Sequence, residues 1–219
     1  KFFRVFPRRQ IMAALGELYG NYRHEEGFRE AVRRRRQSLL ETDLPIVVDP
    51  GSDARGNTEH RHGRLLLTLY FHQLFTDSPT LLDLRREQFE AVNGEVKWAP
   101  GAFYIEWDPT FLKGVRRMYR GFYADDDTRF EAGLEALHLS GMGDNFRAHF
   151  GEGDQTAVTF DIDHFHGTFG DILARCEEEE RELHQNFAAL GAYLAMLYDH
   201  LSAIGGAFDV RAAFERAVD

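Results

Sequence analysis

Apolar residues recur at helical spacing through most of the chain. Ile11, Leu15 and Leu18 place one face on a helix over 9 to 20 that Gly20 stops. A more charged helix is predicted over 25 to 41. Leu44-Pro45-Ile46-Val47-Val48 is a short apolar run, and the turn-forming residues of 49 to 57 make a loop. Leu65, Leu66, Leu69, Tyr70 and Leu74 predict an apolar helix over 63 to 76, and Ser78-Pro79 offers the cap and first residue of another. Asn93-Gly94 predicts a turn between that helix and two strands, 95 to 98 and 102 to 106, which read as a hairpin.

Helical patterns return at 110 to 122 and 126 to 138, and Ser140 to Asp144 breaks them. After a turn at Gly151 to Asp154, residues 157 to 163 alternate like a strand, which puts Asp161 and Asp163 on one face. One amphipathic stripe then runs from Phe169 to Leu201, with Gly191 and Glu177 to Glu180 as candidate divisions. Gly205-Gly206 ends it, and a short helix is predicted over 209 to 218. The fold class predicted is α+β and predominantly helical. One domain spans 1–219, divisible into a small N-terminal lobe, 1–108, and a helical lobe, 109–219.

Composition narrows the function classes. Hydrophobic residues make up 43% and charged residues 28%, with 19 Phe and 8 Tyr, the balance of a chain that buries a core. A net charge of −10 argues against nucleic acid or an anionic membrane as the main partner. The run Arg33 to Arg36, beside Glu26, Glu30 and Glu41, reads as a solvated helix face. No window approaches 18 apolar residues, so no transmembrane span is expected. A single cysteine, Cys176, excludes an intramolecular disulfide and suits a reducing compartment such as the cytoplasm. The chain starts at Lys1, which is compatible with a cleaved targeting segment. The aromatic series Phe103, Tyr104, Trp107, Phe111, Tyr119, Phe122 and Tyr123 reads as core or as a surface for protein partners.

The most site-like stretch is Thr159-Phe160-Asp161-Ile162-Asp163-His164-Phe165-His166. Gly143-Asp144-Asn145 precedes it, with Asp144 seventeen residues before Asp161. Phosphoryl transfer needs a carboxylate near the attacking hydroxyl and others that hold a metal against the phosphates, because catalysis there is positioning plus charge neutralisation. Residues 116 to 175 resemble the aminoglycoside-phosphotransferase-like kinases, whose loop reads His-Gly-Asp followed by Asn and whose metal motif is Asp-x-Asp. Met118-Tyr119-Arg120-Gly121 is similar to an aromatic-Arg-Gly element of that group. The resemblance implies a kinase-like C-terminal lobe, Asp144 as base, Asp161 and Asp163 as metal ligands with His149 at the Asn position, Lys97 on the phosphates, and ATP with Mg or Mn. Met142 replaces the loop His and His149 the metal-binding Asn, which implies an active or catalytically impaired relative.

Two other classes compete. Asp161, Asp163, His164 and His166, with His149 or His184, supply the donors of a Zn or Fe metalloenzyme, although alternation sends aspartates and histidines to opposite faces. Alternatively, the missing Gly-rich phosphate loop and the acidic balance fit a non-catalytic subunit or adaptor in a protein assembly.

Overall fold

The computed structural model describes residues 25–150 and 157–218, with side chains throughout except at 148–150. The helix predicted over 9 to 20 and the turn at 151–154 lie outside these residues. The elements are α1 (Glu25–Leu40), β1 (Ile46–Val48), α2 (Gly63–Phe75), β2 (Thr80–Leu81), β3 (Phe89–Val92), β4 (Glu95–Trp98), β5 (Tyr104–Ile105), α3 (Pro109–Tyr123), α4 (Asp127–Ala136), α5 (Gly143–Phe150), β6 (Ala157–Thr159), α6 (Ile162–Glu178), α7 (Asn186–Ile204), β7 (Ala207–Asp209) and α8 (Val210–Val218). This is the predominantly helical α+β class that the apolar spacing predicts.

Three strands form the largest sheet, in the order β1-β4-β3, with β1 parallel and β3 antiparallel to β4. Strand alternation sends Val96 and Trp98 into the core and leaves Lys97 on the outer face, between Val47 and Glu90. Asn93 and Gly94 adopt φ of 52° and 87°, the left-handed pair that a two-residue hairpin requires. The hairpin therefore joins β3 to β4, one strand earlier than the sequence suggests, and β5 pairs with β2. No helix begins at Ser78-Pro79. The Gln73 side chain instead takes both main-chain groups of Leu81, accepting from its N–H at 2.9 Å and donating to its carbonyl at 3.1 Å, which holds that segment extended. The free edge of β3 is closed by Asn57, whose amide accepts from Ala91 N and donates to Ala91 O.

The core is one cluster running from Ala31 to Phe214. Of the aromatic series, Tyr104, Trp107, Phe111, Tyr119 and Tyr123 are at most 8% exposed and only Phe103 reaches 42%. They pack the interior, in line with the core reading of the series, of which Phe103 is the exposed member. Their number is what fills the space between short elements. The stripe predicted as one long helix divides between Glu178 and Asn186. Gly191 does not break α7, where the Phe169 ring lies against it. Among the described residues α7 is the one helix that length and composition would let cross a membrane, and its packing gives no clear transmembrane span. Half of that apolar window is buried inside the fold, with Tyr193, Leu197, His200 and Leu201 among its buried residues.

Helices α3 and α4 pack at backbone distance because glycines face the contact. A Cβ at Gly133 would overlap the Met118 backbone, and one at Gly121 the Phe130 backbone. Gly133→Ala is therefore expected to lower stability by about 3 kcal/mol, since backbone cannot step aside as a side chain can. At Gly167 and Gly170, in α6, nothing lies within 4 Å of an added Cβ, and alanine there is expected to stabilise by up to about 1 kcal/mol through helix propensity. Urea unfolding midpoints of the three variants check the contrast. Equal effects would remove the packing argument.

Candidate functional site

The residues singled out by the resemblance are spread over separate surfaces. Lys97 stands on the outer face of the β1-β4-β3 sheet. Asp144 is exposed in the first turn of α5, within electrostatic reach of Arg175 on α6. The strand predicted over 157 to 163 stops at Thr159, so alternation does not align Asp161 with Asp163. Asp161 is instead the N-cap of α6, and its carboxylate accepts the His164 N–H at 2.7 Å. Asp163 is exposed in the first helical turn, where its charge complements the helix dipole. His149 belongs to α5, and its side chain lies outside the described ones. Among the described residues, no three His, Cys, Asp or Glu side chains come together to hold a metal ion.

A different feature concentrates charge. A groove of about 690 Å³ opens along one face of α3 and is lined by Arg34, Lys113, Arg116, Arg117, Arg120 and Arg129. Spacing creates the row: positions 113, 116, 117 and 120 fall on one helical face, while Phe111, Val115, Met118 and Tyr119 point into the core. The helix starts where it does because Asp108 caps it, accepting from Thr110 N and Phe111 N at 2.9 Å each, with Pro109 in the first turn. Those N–H groups are thereby satisfied, so attraction for an anion comes from the side chains.

Two of the cations are fixed in place. Arg116 donates to Leu74 O at 2.6 Å and Thr76 O at 3.0 Å and pairs with Asp77 at 3.0 Å, while Arg34 donates to Asp77 O at 2.7 Å. Arg120 lies 5.1 Å from the centre of the Phe75 ring, which steadies it without neutralising it. Lys113, Arg117, Arg120 and Arg129 are exposed and make no ion pair with a carboxylate among the described residues. In a second groove, of about 470 Å³, Arg64 likewise makes no ion pair among the described residues, but its neighbours there do: Arg61 pairs with Glu59 and Arg216 with Asp43.

Behind the wall of the cationic groove lies Arg35, fully buried. It donates to Thr76 Oγ1 at 2.8 Å and Pro79 O at 3.1 Å, both from lining residues, and its Nε has no partner. Burial pushes its pKa down to about 10, so it stays charged at neutral pH with no carboxylate beside it among the described residues. A charge in so dry a place is screened less than a surface one, and it adds to the positive potential of the groove. The other end is different: Trp107, Pro109 and Leu112 form an apolar lip beside Glu106.

The series at 113, 116, 117 and 120 is not among the site residues that the sequence motifs predict. Its helical spacing was the available signal; Arg34 and Arg129 join it only through tertiary packing. No model of a known protein family matches the chain, and no curated protein matches it.

Proposed function

We propose that the protein is a binding module that recognises an anionic partner in the α3 groove. The observation that carries this reading is the row Lys113, Arg117, Arg120 and Arg129, which makes no ion pair among the described residues, on a chain whose net charge is −10. A chain with that acidic excess has many groups with which to neutralise such a row, and a preserved local field steers and holds a ligand of opposite sign. The reading agrees with a non-catalytic subunit or adaptor. A phosphotransferase reading would run through Asp144, Asp161 and Asp163, and the geometry favours it less: Asp161 is engaged as a cap and Lys97 stands on the outer sheet face.

Titration with hexaglutamate and with inorganic tripolyphosphate at low and raised salt tests the proposal. Binding is expected at low salt, weakened by salt and reduced roughly tenfold in the Arg117→Ala, Arg120→Ala double variant. If neither probe binds at low salt, or the double variant binds as well as the parent, the groove is not an anion site.

A further inference from the structure

We infer, on the basis of the anion-binding reading, that the groove's ligand is an extended acidic segment of a partner protein, with carboxylates at alternate positions and an apolar residue at one end. The groove is an open channel along a helix, whereas sites for small molecules enclose most of their ligand's surface. A polypeptide passing through such a channel needs only one side covered.

The spacing fits a strand. Lys113, the Arg116 and Arg117 pair, and Arg120 repeat every three or four residues, which sets neighbouring Cβ atoms about 5 to 6 Å apart and the row at roughly 10 Å. Alternate side chains of an extended peptide recur at about 6.6 Å on one face, so three carboxylates meet three stations of the row within the reach of arginine arms. Arginine dominates the row, and its planar fork matches a carboxylate in two parallel hydrogen bonds. Arg129, at the start of α4 just beyond the end of α3, extends the row past Arg120.

The groove also has a direction. Its far end, at Trp107, Pro109, Leu112 and Glu106, precedes Lys113 along α3 and is apolar and acidic. An apolar side chain of the partner rests there, and Glu106 repels a carboxylate placed at that end. A ligand charged at both ends is disfavoured, and the segment lies in one orientation.

Fluorescence anisotropy of labelled peptides with the full chain tests this. The sequence Leu-Ser-Glu-Ser-Glu-Ser-Glu is expected to bind about fivefold or more tighter than Leu-Ser-Ser-Ser-Glu-Glu-Glu, which has the same composition. Arg117→Glu with Arg120→Glu is expected to abolish that binding and to gain binding of Leu-Ser-Lys-Ser-Lys-Ser-Lys, while Arg29→Glu on α1 changes neither. All three positions are exposed, and unchanged circular dichroism and melting confirm folding. Equal affinity for the alternating and blocked peptides overturns the strand register. Tripolyphosphate or an oligothymidylate competing better than the alternating peptide overturns the ligand class while leaving the anion site standing. If no anion of any kind binds, both readings fall.

Discussion

Lowering the pH from 6.5 to 4 is expected to remove about 6 kcal/mol of folding stability through His72 and His200. Burial holds both imidazoles down to about 4, with Arg35 adding to the effect at His72 and Arg86 and His62 at His200; the bond to the Leu84 carbonyl opposes it at His200. Each is placed as a neutral ring. His72 Nε2 lies 2.6 Å from Ser38 Oγ, and His200 spans Thr58 Oγ1 at 2.7 Å and Leu84 O at 3.0 Å. Because the folded-state values are depressed, the unfolded chain takes up protons first as the pH falls through 6.5. The stability is present in full above that pH and is gone near 4, at about 3 kcal/mol for each ring. Urea unfolding at about pH 7 and about pH 4.5 measures the loss, and His200→Gln is expected to remove roughly half of it. A free energy that stays flat over the interval, or a slope untouched by His200→Gln, overturns the assignment. The loss bears on the groove, since Ser38 and Thr76 share the Arg35 guanidinium and Thr76 lines the wall. Protonated His72 would face a buried cation, and that wall is expected to loosen first.

Where local physics decided the outcome, the sequence could be read. The helices near 25–40, 63–75, 109–123 and 127–136 follow the apolar spacing, because burying one face of each is what holds it in helical form. Two errors share a cause. Ser78-Pro79 has the composition of a helix start, yet Gln73, distant enough to be invisible to a local rule, satisfies Leu81 in an extended state. Asp161 looked like a strand residue by alternation, yet a capping carboxylate at the mouth of a long amphipathic helix offers the chain a better use for it.

The candidate site was legible only in part. A row of cations at helical spacing can be seen in the letters, but its significance is that Lys113, Arg117, Arg120 and Arg129 pair with no carboxylate among the described residues, and that depends on which acidic residues fold elsewhere. Arg175, for instance, pairs with Glu179, and Arg147 with Asp127. The buried Arg35 is likewise invisible, sitting between Arg34 and Arg36 in a run that composition marks as solvent-facing. One residue, about 100° of helical rotation, separates a solvated arginine from a buried one, and only the packing of α1 on the Thr76 to Pro79 segment decides which is which.

Raising the pH past 10 is expected to unfold the protein cooperatively, through five buried tyrosines. Burial raises the pKa of Tyr70, Tyr119, Tyr123, Tyr193 and Tyr198 above the usual phenol value of 10.0. In the folded state these phenols keep their protons, three of them in hydrogen bonds: Tyr70 with Tyr119 at 2.7 Å, and Tyr193 accepting from Gln73 at 2.6 Å. An unfolded chain releases the protons near pH 10, so above that value the native state holds more of them and stability falls as pH rises. Each phenol contributes about 1.4 kcal/mol per pH unit, and five together roughly 7, against a total stability of about 5 to 15 kcal/mol for a typical domain. Arg35 works in the opposite direction, since its depressed value near 10 makes deprotonation favour the folded state from there upward. It offsets only one of the five. The buried Cys176 thiol, also raised by burial, adds to the loss. Tyrosinate absorbance followed together with far-ultraviolet circular dichroism decides the matter: the buried phenols are expected to ionise in one sharp step that coincides with loss of helix. A gradual titration centred near 10 with the helix signal intact would mean that these rings are reached by water in the native state, and the aromatic core described above would have to be redrawn.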